Sequence, residues 1–328
     1  MSYSQKLMDY YYPVARLQDL EAATIEGKPL AAVLLGKPLV IYKIQGEVVV
    51  ADDRCPHRGE MLSAGAVSEA GLQCPYHGLQ FAHLGACARI PAHPQVQNLK
   101  RFDLCSYPAV ESHGLLWTSL GAGAFYELGL GLGRESESQR LVVAPPVNVN
   151  ASAGRQVEGF MDISHLPFVH RTTFSECTAE AMPAYKVEPF DGGLGFEYTS
   201  SLGNYPLGHS SPKDFRWRRV YRIHAPFIAI LDIYFPDGLF TIFNCASPVS
   251  EEQCVWFYPI RFDKSLSLGS DEEVNAFSQK VQTDDLTVVE RQRPRYIDLT
   301  SDSEQSFGAD LASTAYRKML RNLGLVKA

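Results

Sequence analysis

Two short segments combine cysteine and histidine in the same order. The first reads CPHRG at residues 55–59 and the second reads CPYHG at residues 74–78. Proline follows the cysteine and glycine closes each segment, which favours tight turns that direct the side chains outward. The four side chains that could bind a metal are Cys55, His57, Cys74 and His77. Together they predict a metal site built by two loops.

The spacing of these ligands favours a two-iron cluster over a single zinc ion. In a Rieske centre two cysteines hold one iron and two histidines hold the other, so neighbouring residues can reach different irons. Structural zinc sites also use two cysteines and two histidines, but their usual patterns pair like with like. The step from Cys55 to His57 is too short to wrap both side chains around one tetrahedral ion. We therefore predict a [2Fe–2S] cluster.

A second group of ligand-type residues lies in the segment VEGFMDISHLPFVH. If residues 155–165 are helical, Asp162 and His165 lie about one turn apart on one face. Because Pro167 disfavours helix at the preceding residue, we expect the chain to turn before His170. The two histidines could then approach one ion from different directions. Two histidines and a carboxylate form the usual ligand set of non-haem Fe(II), and they leave coordination positions open.

The carboxylate ligand is expected on a helix near the C-terminal end. Ser270 and Glu273 resemble a capping box that opens this helix. Asp284 and Asp285 are adjacent within it. At about 100° per residue, Asp285 lies about 40° from the apolar Val281, and Asp284 about 60° away on the other side. Helical periodicity therefore favours Asp285 only slightly, and Asp284 remains the alternative.

The chain divides into two predicted domains. Residues 1–120 show short strands and turns, including a hairpin over residues 38–52. The Gly- and Ala-rich stretch 121–133 is the linker candidate. Residues 121–328 combine strands of an expected antiparallel sheet with two late helices, the second over 308–323. This order predicts an α+β second domain. The predicted strands of that sheet cover residues 185–201, 215–234 and 239–261.

Composition narrows the class of protein. The chain has 328 residues and a net charge of −7, which argues against nucleic acid as a partner. No apolar run approaches the roughly 20 residues of a membrane helix, so we expect no membrane partner and a soluble cytoplasmic protein. Seven cysteines, an odd number, do not suggest a disulfide framework. Outside the two motifs we expect buried or inert thiols at Cys87, Cys105, Cys177, Cys245 and Cys254.

Both metal motifs, in this order, resemble the α-subunit of Rieske non-haem iron oxygenases, particularly the single-subunit type that includes vanillate and dicamba O-demethylases. The resemblance covers nearly all of the chain. It implies an all-β Rieske domain and a helix-grip catalytic domain, with mononuclear Fe(II) held by His165, His170 and Asp285. That family hydroxylates or oxidatively demethylates small, often aromatic or heterocyclic, substrates with O₂. Electrons from NAD(P)H arrive through a separate flavin reductase, often by way of a ferredoxin.

The resemblance also implies a catalytic role for Asp162. Its carboxylate is expected to bond the His165 ring nitrogen that faces away from the iron. A second bond is implied to a Rieske histidine, His77, of a neighbouring subunit, because within one subunit of that family the two metal sites lie too far apart. Such a head-to-tail interface closes into a ring, so we expect a homotrimer.

Several residues are candidates for binding substrate or a redox partner. Asn244, Phe160 and Ile230 are predicted to contact substrate, with Phe168, Ile233, Tyr234, Phe240 and Ile242 as further apolar candidates. Basic residues of the first domain would suit an acidic electron donor, although ordinary surface charge explains them equally well. They are Arg54, Arg58, Arg89, Lys100 and Arg101.

Two positions depart from the family pattern, and two other classes compete with an oxygenase. Leu79 stands where tryptophan is usual, and Gly159 stands where asparagine is common. A Rieske ferredoxin would share the first motif but would need only about the first 120 residues. A non-catalytic sensor of the same fold would be expected to lose a metal ligand, and this chain retains every expected ligand type.

Overall fold

The computed structural model describes residues 5–121, 137–173, 182–200, 212 and 214–328. The chain divides into two compact units, Met1–Leu128 and Gly129–Ala328. The predicted domain boundary at residues 120 and 121 stays a prediction. Of the predicted linker only Gly121 belongs to the described residues, and Cys177 also lies outside them.

The first unit is built mainly of short antiparallel strands. Its described residues form three sheets, with strand orders β1–β11–β10, β2–β3–β4–β9 and β5–β6–β7–β8. One helix of nine residues, α2, was not predicted from the sequence. The elements are α1 (Gln5–Met8), β1 (Tyr12–Arg16), α2 (Leu17–Ile25), β2 (Leu30–Leu34), β3 (Lys37–Ile44), β4 (Glu47–Asp52), β5 (Ala66–Ser68), β6 (Gly71–Gln73), β7 (Gln80–Phe81), β8 (Cys87–Arg89), β9 (Ser106–Tyr107), β10 (Ala109–Ser112) and β11 (Leu115–Thr118).

The predicted hairpin is the one that joins β3 to β4. Ile44 pairs with Glu47, and both residues of the two-residue turn have positive φ, 50° at Gln45 and 87° at Gly46. Turns of this type match the right-handed twist of the flanking strands. The hairpin prediction is confirmed, and β4 leads directly into the first cysteine loop.

The second unit is an α+β domain. Among its described residues, nine antiparallel strands form one sheet, in the order β12–β20–β18–β17–β16–β15–β14, with β19 paired to both β13 and β18. The strands are β12 (Gln139–Val143), β13 (Val147–Val149), β14 (Val187–Phe190), β15 (Gly193–Ser200), β16 (Trp217–His224), β17 (Ile228–Phe235), β18 (Gly238–Ser250), β19 (Gln253–Phe257) and β20 (Pro259–Asp263). The predicted antiparallel sheet is thus confirmed.

The helices of the second unit are α3 (Ala153–Met161), α4 (Leu166–Val169), α5 (Asp271–Val289) and α6 (Leu311–Asn322). The predicted capping box opens α5, because the Ser270 hydroxyl accepts from the Glu273 N–H while the Glu273 carboxylate accepts from the Ser270 N–H. α3 packs against β17, β18 and β19 and contacts α5 and α6. None of the helices described here combines the length and apolar character needed to cross a membrane.

Candidate metal centres and the adjoining cavity

The two cysteine loops repeat one backbone arrangement. The N–H of Cys55 donates to the Glu60 carbonyl at 2.8 Å, and the N–H of Cys74 donates to the Leu79 carbonyl at 2.9 Å. Each closing glycine then donates back to the cysteine carbonyl, Gly59 at 2.8 Å and Gly78 at 3.1 Å. Both glycines have positive φ, 78° and 71°, a conformation that glycine adopts at little cost. The turns predicted from proline and glycine therefore form twice.

The two loops bring unlike side chains to different depths. The thiols of Cys55 and Cys74 are buried, 2% and 1% exposed, within one apolar core. The imidazoles of His57 and His77 are exposed, and their Nδ1 atoms lie 3.1 Å apart. Burial raises the pKa of the Cys55 thiol to about 11, and the nearby Cys74 thiol adds to this effect. Two buried thiols and two exposed imidazoles fit a [2Fe–2S] cluster in which one iron is bound by cysteines and the other by histidines.

Leu79 belongs to the same core as the two thiols. It is 2% exposed and packs in one cluster with Leu62, Leu72 and Phe81. The leucine therefore fills apolar space beside the cysteine loop, while its backbone carbonyl accepts from Cys74. The departure from tryptophan changes packing and leaves the loop hydrogen bonds in place.

The helix that precedes the two catalytic-domain histidines is shorter than predicted. α3 ends at Met161, and Asp162 is its C-cap with extended backbone angles (φ −70°, ψ 114°). The prediction of continuous helix over residues 155–165 was therefore wrong. The Asp162 carboxylate accepts from the Ser164 N–H at 2.7 Å. Such side-chain-to-backbone bonds compete with helix and favour turns.

A one-turn helix separates the two histidines. His165 is the N-cap of α4 and His170 is its C-cap. Pro167 occupies the first turn of α4, where a missing N–H costs nothing. The expectation that helix is disfavoured at Leu166 was wrong, because α4 begins at that residue and the chain turns between the histidines as a single helical turn. Its ends present both imidazoles to the same point.

Three ligand atoms converge there. The Nε2 atoms of His165 and His170 lie 3.2 Å apart. Asp285 Oδ1, from the middle of α5, lies 3.5 Å from the first and 3.1 Å from the second. All three atoms fall within 4.8 Å of one another, a spacing suited to a shared metal ion. The donor set, two imidazoles and one carboxylate, is the one that non-haem Fe(II) uses.

Asp284 takes a different position from Asp285. Its Oδ2 lies 3.5 Å from His170 Nδ1, on the ring edge away from the converging atoms. The Thr173 hydroxyl donates to the same oxygen at 3.2 Å. Asp284 is thus placed to orient His170 from behind, as carboxylates behind ligand histidines commonly do.

Burial and neighbouring charges act in opposite directions on the pKa values of Asp285 and His165. Burial by itself would raise the pKa of Asp285, but hydrogen bonds and positive charge from His165 and His170 outweigh burial and lower it. Burial likewise would lower the pKa of His165, and Asp285 with Asp162 raises it instead. An ionised carboxylate within the triad is the form that binds a cation.

Asp162 lies beside His165 on the side away from the triad. Its Oδ2 is 3.9 Å from His165 Nδ1, within ion-pair reach but beyond a hydrogen bond. The carboxylate of Asp162 is 37% exposed. Asp162 thus faces the predicted nitrogen of His165 without making the predicted hydrogen bond, and its predicted bond to a second subunit stays a prediction.

A cavity of about 830 Å³, including its open mouth, adjoins the triad. Its apolar walls come from the sheet and from α3 and α5, and His165, His170 and Asp285 belong to the lining. Tyr258 also lines it, and burial followed by the charge of Asp285 raises the pKa of that phenol. A mostly apolar lining with a few polar groups is the usual composition of a site for a small organic molecule.

Among the three principal residues predicted to contact substrate, only Phe160 lines this cavity. Ile230 is fully buried but alternates with the lining residue Leu231, so its side chain is on the other side of the sheet. Asn244 is fully buried and accepts a 3.2 Å hydrogen bond from the Gln156 side chain on α3. Of the further candidates, Ile233, Phe240 and Ile242 line the cavity, whereas Phe168 and Tyr234 do not.

Gly159 lies at the contact between α3 and α5. A Cβ added there would come within 3.0 Å of Val289 Cγ2. Glycine thus lets α3 approach the helix that carries Asp285. The departure from asparagine at this position has a packing reason.

The sequence reasoning missed one charged residue of the cavity wall. Arg219, on β16, lines the cavity and is 4% exposed. The signal was the alternation of WRRVYRIH, in which Trp217, Arg219, Tyr221 and Ile223 share one face. An arginine in the apolar register of a strand could have been recognised from this pattern.

Comparisons with known proteins agree with the order of the two units. The Rieske [2Fe-2S] domain family matches residues 10–102, and the vanillate O-demethylase oxygenase C-terminal domain family matches residues 149–325. The methylxanthine N1-demethylase NdmA of Pseudomonas putida is 32% identical over 326 residues, 97% of this chain and 89% of the relative. The methylxanthine N3-demethylase NdmB of the same organism is 30% identical over 328 residues, which cover 97% of this chain and 90% of the relative.

Solved structures agree with these matches. The Pseudomonas putida structure of NdmA with caffeine has a TM-score of 0.82 and 30% identity, covering 97% of this chain and 91% of that chain. A relative of this identity along nearly the whole chain shares its fold and its order of domains. With an N-terminal Rieske [2Fe-2S] domain followed by an oxygenase domain, the chain belongs to the Rieske non-haem iron oxygenases.

Proposed function

We propose that His165, His170 and Asp285 hold a mononuclear Fe(II) ion and that the enzyme oxidatively removes a methyl group from a small aromatic or heterocyclic substrate. The observation that carries this proposal is the convergence of three ligand atoms in the wall of an apolar cavity. The relatives named as methylxanthine demethylases support demethylation. Hydroxylation of a ring is the alternative reaction of the same site.

The [2Fe–2S] cluster would be held by Cys55 and Cys74 on one iron and by His57 and His77 on the other. When bound, the cluster supplies single electrons and the ferrous ion supplies open positions for O₂. The buried thiols anchor the cluster in the core, and the exposed imidazoles form its outer edge. This difference in exposure supports the histidine edge as the route for electrons.

The residues of the catalytic domain orient the substrate and exclude water. Apolar side chains from three neighbouring strands, including Leu231, Ile242 and Ile260, face the same cavity as the triad. A closed apolar site limits the loss of reactive species to solvent. Phe160 packs edge-to-face against Tyr258, with ring centroids 6.5 Å apart, and both rings add aromatic surface to the cavity wall.

Asp162 is proposed to connect subunits. Its partly exposed carboxylate lies behind His165 and can accept a hydrogen bond from His77 of the partner subunit, in a head-to-tail homotrimer. A carboxylate between two ligand histidines fixes both rings. A fully active strict monomer would contradict this arrangement.

The electron donor is proposed to be a separate flavin-containing reductase, directly or through a ferredoxin. Basic side chains are exposed around the first unit; Arg54 precedes the first cysteine loop and Arg58 lies within it. Positive charge near the cluster steers an acidic donor protein and raises its association rate. The residues are Arg54, Arg58, Arg89, Lys100 and Arg101.

A single-turnover experiment tests the proposed reaction. Protein with a chemically reduced cluster is mixed with O₂ and with N-methyl or O-methyl aromatic and heterocyclic compounds. Demethylated product, detected by mass together with formaldehyde, supports the proposal. His170→Ala should abolish product while the cluster spectrum stays normal. Ring-hydroxylated products without formaldehyde would replace demethylation by hydroxylation.

A further inference from the structure

Tyr258 is the single residue between two strands of the sheet and lies in the cavity wall. The strand β19 ends at Phe257, and β20 begins at Pro259. Tyr258 is 4% exposed and lines the cavity, as does Ile260 two residues further along. Side chains two positions apart in an extended chain face the same side of a sheet. The alternation that directs Ile260 to the cavity therefore directs the phenol there as well.

Two aromatic rings hold the Tyr258 side chain in place. The fully buried Trp256 packs at 90° to the phenol with ring centroids 5.1 Å apart. Phe160, which reaches over from α3, packs at 82° with centroids 6.5 Å apart. Because the phenol oxygen lies on the long axis of its ring, a fixed ring also fixes the position of the hydroxyl. A donor that is held in this way loses little conformational entropy when a ligand binds.

The Tyr258 hydroxyl has no acceptor among the residues that the structure describes, where its contacts are the two rings and the charge of Asp285. Other buried hydroxyls are paired. Tyr42 donates to the Ala82 carbonyl at 2.8 Å. In the cavity wall itself, Ser278 donates to the Val274 carbonyl at 2.8 Å. A hydroxyl proton without an acceptor is costly in an apolar site, and an acceptor supplied by a ligand removes that cost.

We propose that Tyr258 positions the substrate by donating a hydrogen bond from its phenol to a carbonyl oxygen on the substrate ring. The inference rests on the proposed function, because it names a chemical feature of the substrate for the same cavity. A phenol with an ordinary pKa near 10 keeps its proton at neutral pH and can donate it. A carbonyl oxygen offers two lone pairs in the plane of the ring and is a good acceptor for such a donor.

The hydrogen bond would also orient the ring. Tyr258 and the three converging ligand residues line one cavity, so a ring held at its carbonyl presents a different edge to the triad. Orientation of this kind lowers the barrier of a reaction, because the reacting atoms need no further search. The methyl group that is removed is therefore expected on an edge of the ring away from the bound carbonyl oxygen.

Matched ligands with and without a carbonyl test the inference. The pairs are N-methyloxindole with N-methylindoline, and N-methylacetanilide with N-ethyl-N-methylaniline, at a pH at which all four compounds are uncharged. Binding to the full chain with cluster and iron is measured by calorimetry. Tyr258→Phe should weaken binding of the two carbonyl compounds by about 3–10-fold, as expected for one neutral hydrogen bond. Binding of the two amines should change by less than about twofold.

Tyr234→Phe is the control, because it removes the same hydroxyl from a partly exposed position of β17 outside the cavity lining. It should bind all four compounds as the unsubstituted protein does. Equal losses for carbonyl compounds and amines in Tyr258→Phe would reveal a structural role and overturn the inference. It is also overturned if Tyr258→Phe binds the carbonyl compounds normally, or if the unsubstituted protein binds neither of them saturably.

Stability of the ligand-free enzyme gives an independent readout. Since the hydroxyl has no acceptor among the described residues, Tyr258→Phe should unfold at the same temperature as the unsubstituted protein or at a higher one. Carbonyl compounds should raise the unfolding temperature of the unsubstituted protein more than that of the variant. A lower unfolding temperature of the ligand-free variant, at equal cluster and iron content, would show that the hydroxyl is bonded within the protein and contradict the inference.

Product analysis separates this inference from the proposed function. Formaldehyde released from N-methyl compounds in single-turnover assays reports on demethylation, whereas the paired binding constants report on Tyr258. Formaldehyde formation with carbonyl binding unaffected by Tyr258→Phe would retain the function and overturn the role of Tyr258. Carbonyl binding that depends on Tyr258, without formaldehyde from any of the four compounds, would retain that role and count against demethylation.

Discussion

The two candidate metal centres are assembled in different ways. The two cysteine loops of the first unit lie close together in the sequence. Each loop forms the same type of hydrogen-bonded turn, closed at Gly59 in the first and at Gly78 in the second. The triad of the second unit joins both ends of a one-turn helix to the middle of α5, far along the chain. The first site is specified by local turns and the second by packing between helices. The two sites should therefore respond differently to substitution.

The largest expected effect is loss of the cluster. His57→Ala or Cys74→Ser should abolish the visible absorption and the paramagnetic signal of the reduced protein, because each removes one of four ligands. His83→Ala is the control, since His83 contacts Glu47 and Gln45 at the surface. A colourless protein of normal stability with stoichiometric zinc would contradict the cluster assignment.

The adjacent aspartates give the next largest effect. Asp285→Ala should abolish iron binding and turnover, whereas Asp284→Ala should weaken iron binding by about 10–100-fold through the orientation of His170. Both variants should keep the cluster spectrum. Iron content by metal analysis and single-turnover product distinguish them. The reverse ranking would show that Asp284 is the ligand.

A smaller and more selective effect is expected for Asp162. Asp162→Ala should keep the cluster and most of the iron, while the reduced cluster is oxidised about 10–100-fold more slowly after mixing with O₂ and substrate. Asp191→Ala, another exposed acid of the same unit, should behave as the unsubstituted protein. Normal rates of cluster oxidation in Asp162→Ala would exclude the proposed bridge.

The smallest effect concerns the contact between α3 and α5. Gly159→Asn, which restores the residue common in the family, should lower the free energy of unfolding by about 1–3 kcal/mol, because its side chain overlaps Val289. Adding Val289→Ala should recover part of this loss. Urea titration with a probe of the second unit measures both changes.

Gly308→Asn serves as the control for that series, since a Cβ at Gly308 meets nothing within 4 Å. An equal loss of stability in Gly308→Asn would mean that the effect is not specific to the helix contact. A destabilised Gly159→Asn that also loses iron would link the helix contact to the position of Asp285.

Local patterns were sufficient for the first site. The C-x-H and C-x-x-H spacing, with proline and glycine at matching places, predicted two turns, and both form. The hairpin around Gln45 and Gly46 and the capping box at Ser270 were predicted for the same reason. Each depends on backbone hydrogen bonds and φ preferences within a few residues, which the sequence determines directly.

Other features depended on contacts between distant segments. Helical periodicity left Asp284 and Asp285 nearly equivalent, and only the packing of α5 beside α4 places Asp285 against both Nε2 atoms. Asn244 was predicted to contact substrate, but α3 covers it through Gln156. The helix predicted through residue 165 ends at Met161, because the Asp162 side chain bonds the Ser164 backbone instead.

The sequence by itself thus determined the ligand types of the two candidate metal centres and the α+β order of the chain, because these follow from short-range spacing and from alternation. Tertiary structure decided which carboxylate joins the two histidines and which strand residues face the cavity. Arg219 illustrates the difference. Alternation assigns it to the inward face of β16, but only the pairing of β16 with β15 and β17 makes that face the wall of the cavity beside the triad.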